Sequence, residues 1–246
     1  MSVPCSSHHQ ILEAEHNEVR GRAFERDRFD RVRVPREVSC GSCVAVEGSN
    51  GYNPGQMNAD PKTPEVQKAL DATRIWLERA VIGLNLCPVA KPVHLANRIR
   101  FVVSEARTPE ALLADLAAEL QFLNDTPAET YETTLLIHPH VLEDFLDFNA
   151  FLDDAEAVVE TLGLVGELQV ASFHPRYQFA GTEPDEIENH TNHSPYPTLH
   201  LLRESSIERA VAACPDPAEI YEENMRTLRR LGPDGWRRLW LDEPPR

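Results

Sequence analysis

The chain has 246 residues, 41% of them apolar, enough for a real core and for one domain of ordinary size with extensions. Its 24 basic residues against 40 acidic ones give a formal charge of −16, which repels nucleic acid and anionic membrane at long range and argues against either as a general partner. No apolar run approaches the ~20 residues of a membrane span, the N-terminus lacks the apolar core of a signal peptide, and five cysteines without an even ladder make no disulfide framework. The expected location is therefore the cytoplasm.

Residues 1–56 carry Arg20, Arg22, Arg26, Arg28, Arg31, Arg33 and Arg36 in a short stretch and sustain no helical or strand period. They read as a disordered leader, or as sequence ahead of a natural start at Met57, with residues 57–246 forming a single α/β domain. Cys40-Gly-Ser-Cys43 has the spacing of a redox pair or a zinc half-site, but neither the helix start nor the second ligand pair that such sites need. Thr63 as N-cap and Pro64 as first helical residue open a helix through Val66, Leu70, Ile75, Trp76, Leu77, Val81 and Leu84, ending near Gly83 to Leu86. A loop with Pro and Lys then runs to Asn97.

Ile99 to Val103 reads as a first strand ending in Ser104, and Thr108-Pro109 starts a second helix with Leu112, Leu113, Leu116, Leu120 and Leu123. Thr133 to Ile137 is a second strand ending in His138-Pro139-His140. A third helix carries Leu142, Phe145, Leu146, Leu152, Val158 and Leu162 on its apolar side and stops at Gly163. Leu168 to Phe173 is a third strand ending in His174-Pro175. This order of elements predicts βαβ units and a small, mostly parallel sheet of three to four strands with flanking helices. Leu199 to Leu202 supplies the fourth strand, which Pro195 and Pro197 place at an edge. Ser205 and Glu208 form a capping box for a short helix, Asp216-Pro217 with Glu219 a better one for a helix to Leu231, and a packing tail with Trp236 and Trp240 follows.

Parallel strands put their carboxyl ends on one edge of the sheet, where open α/β sheets hold ligands, and the residues placed there are Ser104, His138 and His174. His174 and His138 are candidate acid/base groups because imidazole titrates near neutral pH. Cys87, with Lys91 and His94 close in sequence, is a candidate nucleophile, although a helix exit disfavours thiolate. The long polar stretch from Ala171 to Glu204 supplies candidate ligand-binding residues Arg176, Tyr177, Gln178, Asn192, Ser194 and Arg203, the guanidinium groups suiting carboxylate or phosphate. Gly181, which ends the aromatic run before an acidic segment, is expected in a conformation closed to other residues or in a spot with no room for a side chain. His138-x-His140 and His190-x-x-His193 allow paired metal ligands without fixing them on one helical face, so no metal is assigned. No glycine-rich phosphate loop, nucleophile elbow or dinucleotide fingerprint names a cofactor.

Three segments together resemble the DUF1415 family of bacterial proteins: Trp76-Leu77-Glu78 through Gly83-Leu84-Asn85-Leu86-Cys87-Pro88; Ser172-Phe173-His174-Pro175 with Tyr177-Gln178-Phe179-Ala180-Gly181; and Thr191-Asn192 through Ser194-Pro195-Tyr196-Pro197 to Leu199-His200-Leu201-Leu202-Arg203-Glu204. The resemblance covers roughly Thr63 to Leu231 and brings no activity with it. It implies arginine where this chain has His193, which weighs against a His190–His193 metal pair and for an anion-binding loop. Two expectations stand side by side: a small-molecule enzyme acting on an anionic substrate at the carboxyl edge, or a non-catalytic binding protein for an anionic metabolite or metal. Cys87 within hydrogen-bond reach of His174 favours the first, and a pocket with histidines converging on a point and Cys87 buried elsewhere favours the second.

Overall fold

A computed structural model of the chain describes residues 63–212 and 217–240. The expectations for residues 1–56, for Cys40-Gly-Ser-Cys43, and for Asp216 as a helix start lie outside the described residues. The order of elements is α1 (Pro64–Trp76), a π-helical turn (Leu77–Ile82), α2 (Ala90–Leu95), β1 (Ile99–Val103), α3 (Pro109–Asp125), β2 (Thr133–Ile137), α4 (Phe145–Thr161), β3 (Leu168–Phe173), a 3-10 turn (Ile187–Thr191), β4 (Thr198–Arg203), α5 (Glu204–Ala212) and α6 (Pro217–Arg238). Apart from residues 179–181, the described residues group into one compact unit. No described helix is long and apolar enough to cross a membrane.

The four strands form one mixed sheet in the order β1-β2-β4-β3. β1 pairs parallel with β2, and β4 pairs antiparallel with both β2 and β3, so β1, β2 and β3 all run the same way. The fold is α/β as expected, with one correction: β4 is an interior strand, not an edge. Its flanking prolines precede the ladder, where a missing N–H costs nothing, and the Pro197 carbonyl accepts from the His138 N–H at 3.0 Å. Thr198, Leu199 and Leu201 within the strand are 0% exposed, as a strand covered on both faces requires.

Alternation along the strands sends residues to two cores. Leu136, Leu168, Leu199 and Leu201 pack beneath α3 (Leu112, Leu116, Leu120, Leu123) and α4 (Phe148, Phe151, Leu152, Val159). Phe101, Leu135 and Ile137 face α1, the π turn and α6 with Leu70, Trp76, Leu77, Met225 and Leu228. The helices start as their sequences dictate: Thr63 and Thr108 hydroxyls accept from the Val66 and Ala111 N–H groups at 3.2 Å each, with proline at the first helical position.

The first helix departs from its expected course in its last turns. Its final turns widen into π geometry, marked by Gly83 N–H to Glu78 C=O at 3.0 Å and Leu86 N–H to Val81 C=O at 2.9 Å. The extra residue per turn lets Trp76, Leu77, Ala80 and Val81 all be buried, while Ile75 remains 37% exposed. The loop expected before Asn97 contains α2, and Leu142, expected inside the third helix, precedes it. The C-terminal helix runs beyond Leu231 across a break at Gly232 (φ 64°) and buries Trp236.

Candidate functional site

His138 and His174 end β2 and β3 on the same sheet edge and on the α4 face, with the inserted β4 between their strands. Neighbouring strands lie about 4.8 Å apart, so the two histidines are separated by roughly twice that spacing. The gap is filled by Phe148 of α4, whose ring stacks on His138 (centroids 5.6 Å, 27° between planes) and on His174 (5.1 Å, 29°). All three side chains are fully buried.

The hydrogen bonds fix both tautomers. His138 Nδ1 lies 3.0 Å from the Val141 carbonyl, which only accepts, so the proton is on Nδ1 and Nε2 carries a lone pair. That Nε2 is buried and has no hydrogen-bond partner. Burial pushes the His138 pKa down to about 4, nearby His174 adds to the fall, and the Val141 carbonyl opposes it. The ring is therefore neutral at pH 7, a donor at Nδ1 and an acceptor at Nε2.

His174 is engaged at both nitrogens: Nδ1 accepts from the Arg176 backbone N–H at 3.0 Å and Nε2 donates to the Leu142 carbonyl at 3.3 Å. Its pKa is lowered, first by burial and then by the Arg176 charge, against the pull of the Leu142 carbonyl and Asp144. The two imidazoles thus grip successive carbonyls of the turn between β2 and α4. Leu142 there has φ 59°, a left-handed conformation that costs a non-glycine residue roughly 1–2 kcal/mol. Such strain persists only where surrounding contacts enforce it, and these two bonds are among them.

The remaining residues of the expected site mostly serve backbone groups. Arg176 is exposed and donates to the Glu143 carbonyl at 2.6 Å, with Asp144, the N-cap of α4, at 3.4 Å. The Tyr177 ring packs on Phe145 at 5.2 Å, and Phe145 also touches His174. Gln178 Nε2 donates to the Thr182 carbonyl at 2.5 Å, Asn192 Nδ2 to Ser172 at 3.3 Å, and the Ser194 hydroxyl to Tyr196 at 2.6 Å. The Asn192 carbonyl accepts from the His174 N–H at 3.1 Å, which ties this loop to the end of β3. Ser104, at the matching end of β1, donates its hydroxyl to Asp115 of α3 at 2.5 Å and accepts from Ala106 N–H. Gly181 has φ 81° and open space where a Cβ would be, so the backbone conformation, not crowding, calls for glycine.

Two expected residues are elsewhere. Cys87 packs with the core on the other face of the sheet, away from His138 and His174, and burial pushes its thiol pKa up, the reverse of what a nucleophile needs. Arg203 ends an antiparallel strand, so its register partner is Leu168, at the start of β3 and on the opposite edge. There its guanidinium donates to the carbonyls of Leu123 (2.6 Å), Thr126 (2.5 Å) and Tyr131 (3.2 Å), closing the C-terminal end of α3. Arg203→Ala is expected to cost about 1–3 kcal/mol by leaving these acceptors unsatisfied, with no effect on ligands at the carboxyl edge, as urea titration beside a binding assay will show.

Among the described residues no three His, Cys, Asp or Glu side chains converge as a metal site. Sequence reasoning missed Asp115, Asp144 and Phe148. The N-cap position of Asp144 and the three-residue step from Phe145 to Phe148 were signals for two of them; nothing local pairs Ser104 with Asp115 eleven residues on.

No curated protein and no solved structure matches the chain. The family model described as "Protein of unknown function (DUF1415)" matches residues 68–238, a span that takes in nearly all of both cores and the whole carboxyl edge, and the chain belongs to that family.

Proposed function

We propose that this domain binds a polar small molecule at the carboxyl edge of its sheet, with His138 Nε2 accepting a hydrogen bond from a ligand hydroxyl or N–H. The observation that carries this reading is the buried Nε2 lone pair with no partner, held in one orientation by the Val141 carbonyl. An unsatisfied buried polar atom costs about 1–3 kcal/mol, which a ligand donor recovers. His138 is fully buried, so entry of a ligand requires a neighbouring segment to move. Arg176, at the rim, suits an anionic group on the same ligand that competes with Asp144 for the guanidinium.

Recognition is favoured over catalysis. Cys87 lies on the other face, His174 has both nitrogens engaged, and an imidazole with a pKa of about 4 is a weak base at neutral pH. The test is a calorimetric screen of small polar acids, amines and hydroxy compounds against the wild type and His138→Asn. Asparagine places an amide nitrogen where Nδ1 sits and keeps the Val141 bond, but offers nothing at Nε2. Binding at least about tenfold tighter to the wild type is expected, roughly the worth of one buried hydrogen bond, with only about 1–2 kcal/mol of stability lost to the smaller side chain. Equal affinity for the two proteins, or no compound that distinguishes them, contradicts the proposal.

A further inference from the structure

The loop that returns from β3 to β4 is fastened to α6 by a stack of rings. The His190 and His193 ring centroids lie 4.3 Å apart at 39°, and Trp236 of α6 meets His190 at 4.7 Å and 82°. His193 Nε2 donates to the Tyr177 carbonyl at 3.0 Å, which leaves its Nδ1 as the site for a second proton. His190 Nδ1 is buried with no hydrogen-bond partner. An ion pair between Glu188 of the loop and Arg229 of α6, at 2.7 Å, closes the same contact.

We propose that this stack is a proton-operated clasp: with neutral rings it holds α6 against the 187–193 segment, and a proton on either ring makes the two part, freeing that segment with its Asn192 and the adjoining Ser194. A cationic ring here would be half-buried, with the second imidazole 4.3 Å away and an indole as its other wall. The charged groups nearby are already committed. Glu188 is paired with Arg229, the Glu186 carboxylate accepts from the Glu183 N–H at 3.2 Å, Asp234 of α6 is paired with Arg237, and His174, from the end of β3, acts on His193 as a further positive neighbour. Only the backbone carbonyls of Glu186 and Ile187, near His190, and of Tyr177, bonded to His193, favour a proton. Burial outweighs them at both rings and holds both pKa values below the ordinary range, that of His193 at about 4.

The experiment follows the tryptophan emission maximum of the full chain from neutral pH to about pH 4, because parting the clasp moves the buried Trp236 indole into water, which shifts its emission to longer wavelength. The wild type is expected to show this red shift in an acid step that is absent from Trp236→Phe and from the double variant His190→Gln/His193→Gln. Far-UV circular dichroism stays constant through that step, while amide exchange in residues 187–196 and 225–240 rises about tenfold or more and the strands stay protected. The same step in Trp236→Phe, its persistence in the double variant, or loss of helix signal with the same midpoint overturns the clasp.

Discussion

Phe148→Ala is expected to cost about 3–5 kcal/mol, the range for removing a large buried aromatic side chain. The residue is 0% exposed, belongs to the core beneath α3 and α4, and is the spacer against which both His138 and His174 stack. Its loss leaves a cavity between two imidazoles whose ring positions set the turn at Leu142, so the damage reaches the site as well as the core. Urea midpoints with unchanged slope measure it. Leu146→Ala, two residues earlier on the same helix and 75% exposed, is the control and is expected to stay within about 0.5 kcal/mol. Similar small losses in both variants contradict the packing described for Phe148.

Acidification supplies the second large effect. His138, His193 and His200 are each held at about 4, below the usual imidazole value of about 6.5, chiefly by burial. A group whose folded pKa is depressed binds its proton more readily when unfolded. Its contribution is complete above about pH 6.5, is lost progressively as the pH falls, and is gone at about pH 4. For fully buried His138 the drop amounts to about 3 kcal/mol, at about 1.4 kcal/mol per pH unit. His200 adds to the slope through its position between sheet and helices, where Nε2 donates to the Thr133 hydroxyl at 2.7 Å while that hydroxyl donates to the Leu201 carbonyl. Unfolding free energies at neutral pH and near pH 4.5 are expected to differ by several kcal/mol in the wild type and by less in His138→Asn. Stability that is flat across this window contradicts neutral, desolvated histidines.

Much of this arrangement was legible in the sequence where the cause is local. Short apolar runs gave three strands their limits, threonine-proline pairs marked two helix starts, and His138-Pro139 and His174-Pro175 marked two strand ends on one edge. The pairing of β4 was not legible, because a strand with prolines just ahead of it reads the same at an edge as in the interior until its partners are known. That single misplacement carried Arg203 with it: an antiparallel β4 sends its last residue to the opposite edge, where it closes α3. The roles of the ring nitrogens were equally hidden, since they depend on the carbonyls of Val141 and Leu142, and the second of these is presented by a left-handed leucine that no propensity favours. Cys87 was placed by its neighbours in sequence, yet the π turn ahead of it directs the chain into the core on the far face.

The most direct measurement is long-range nitrogen–proton NMR of the full chain labelled with 15N-histidine, which reports each ring nitrogen's protonation separately. For His138 the expected result is Nδ1 protonated and Nε2 bare from neutral pH down to about pH 4, with a binding compound from the screen moving the Nε2 resonance toward a hydrogen-bonded value and leaving Nδ1 in place. A His138 ring already protonated at Nε2 near neutral pH, or an Nε2 resonance indifferent to every compound that binds, contradicts a ligand site built on that atom.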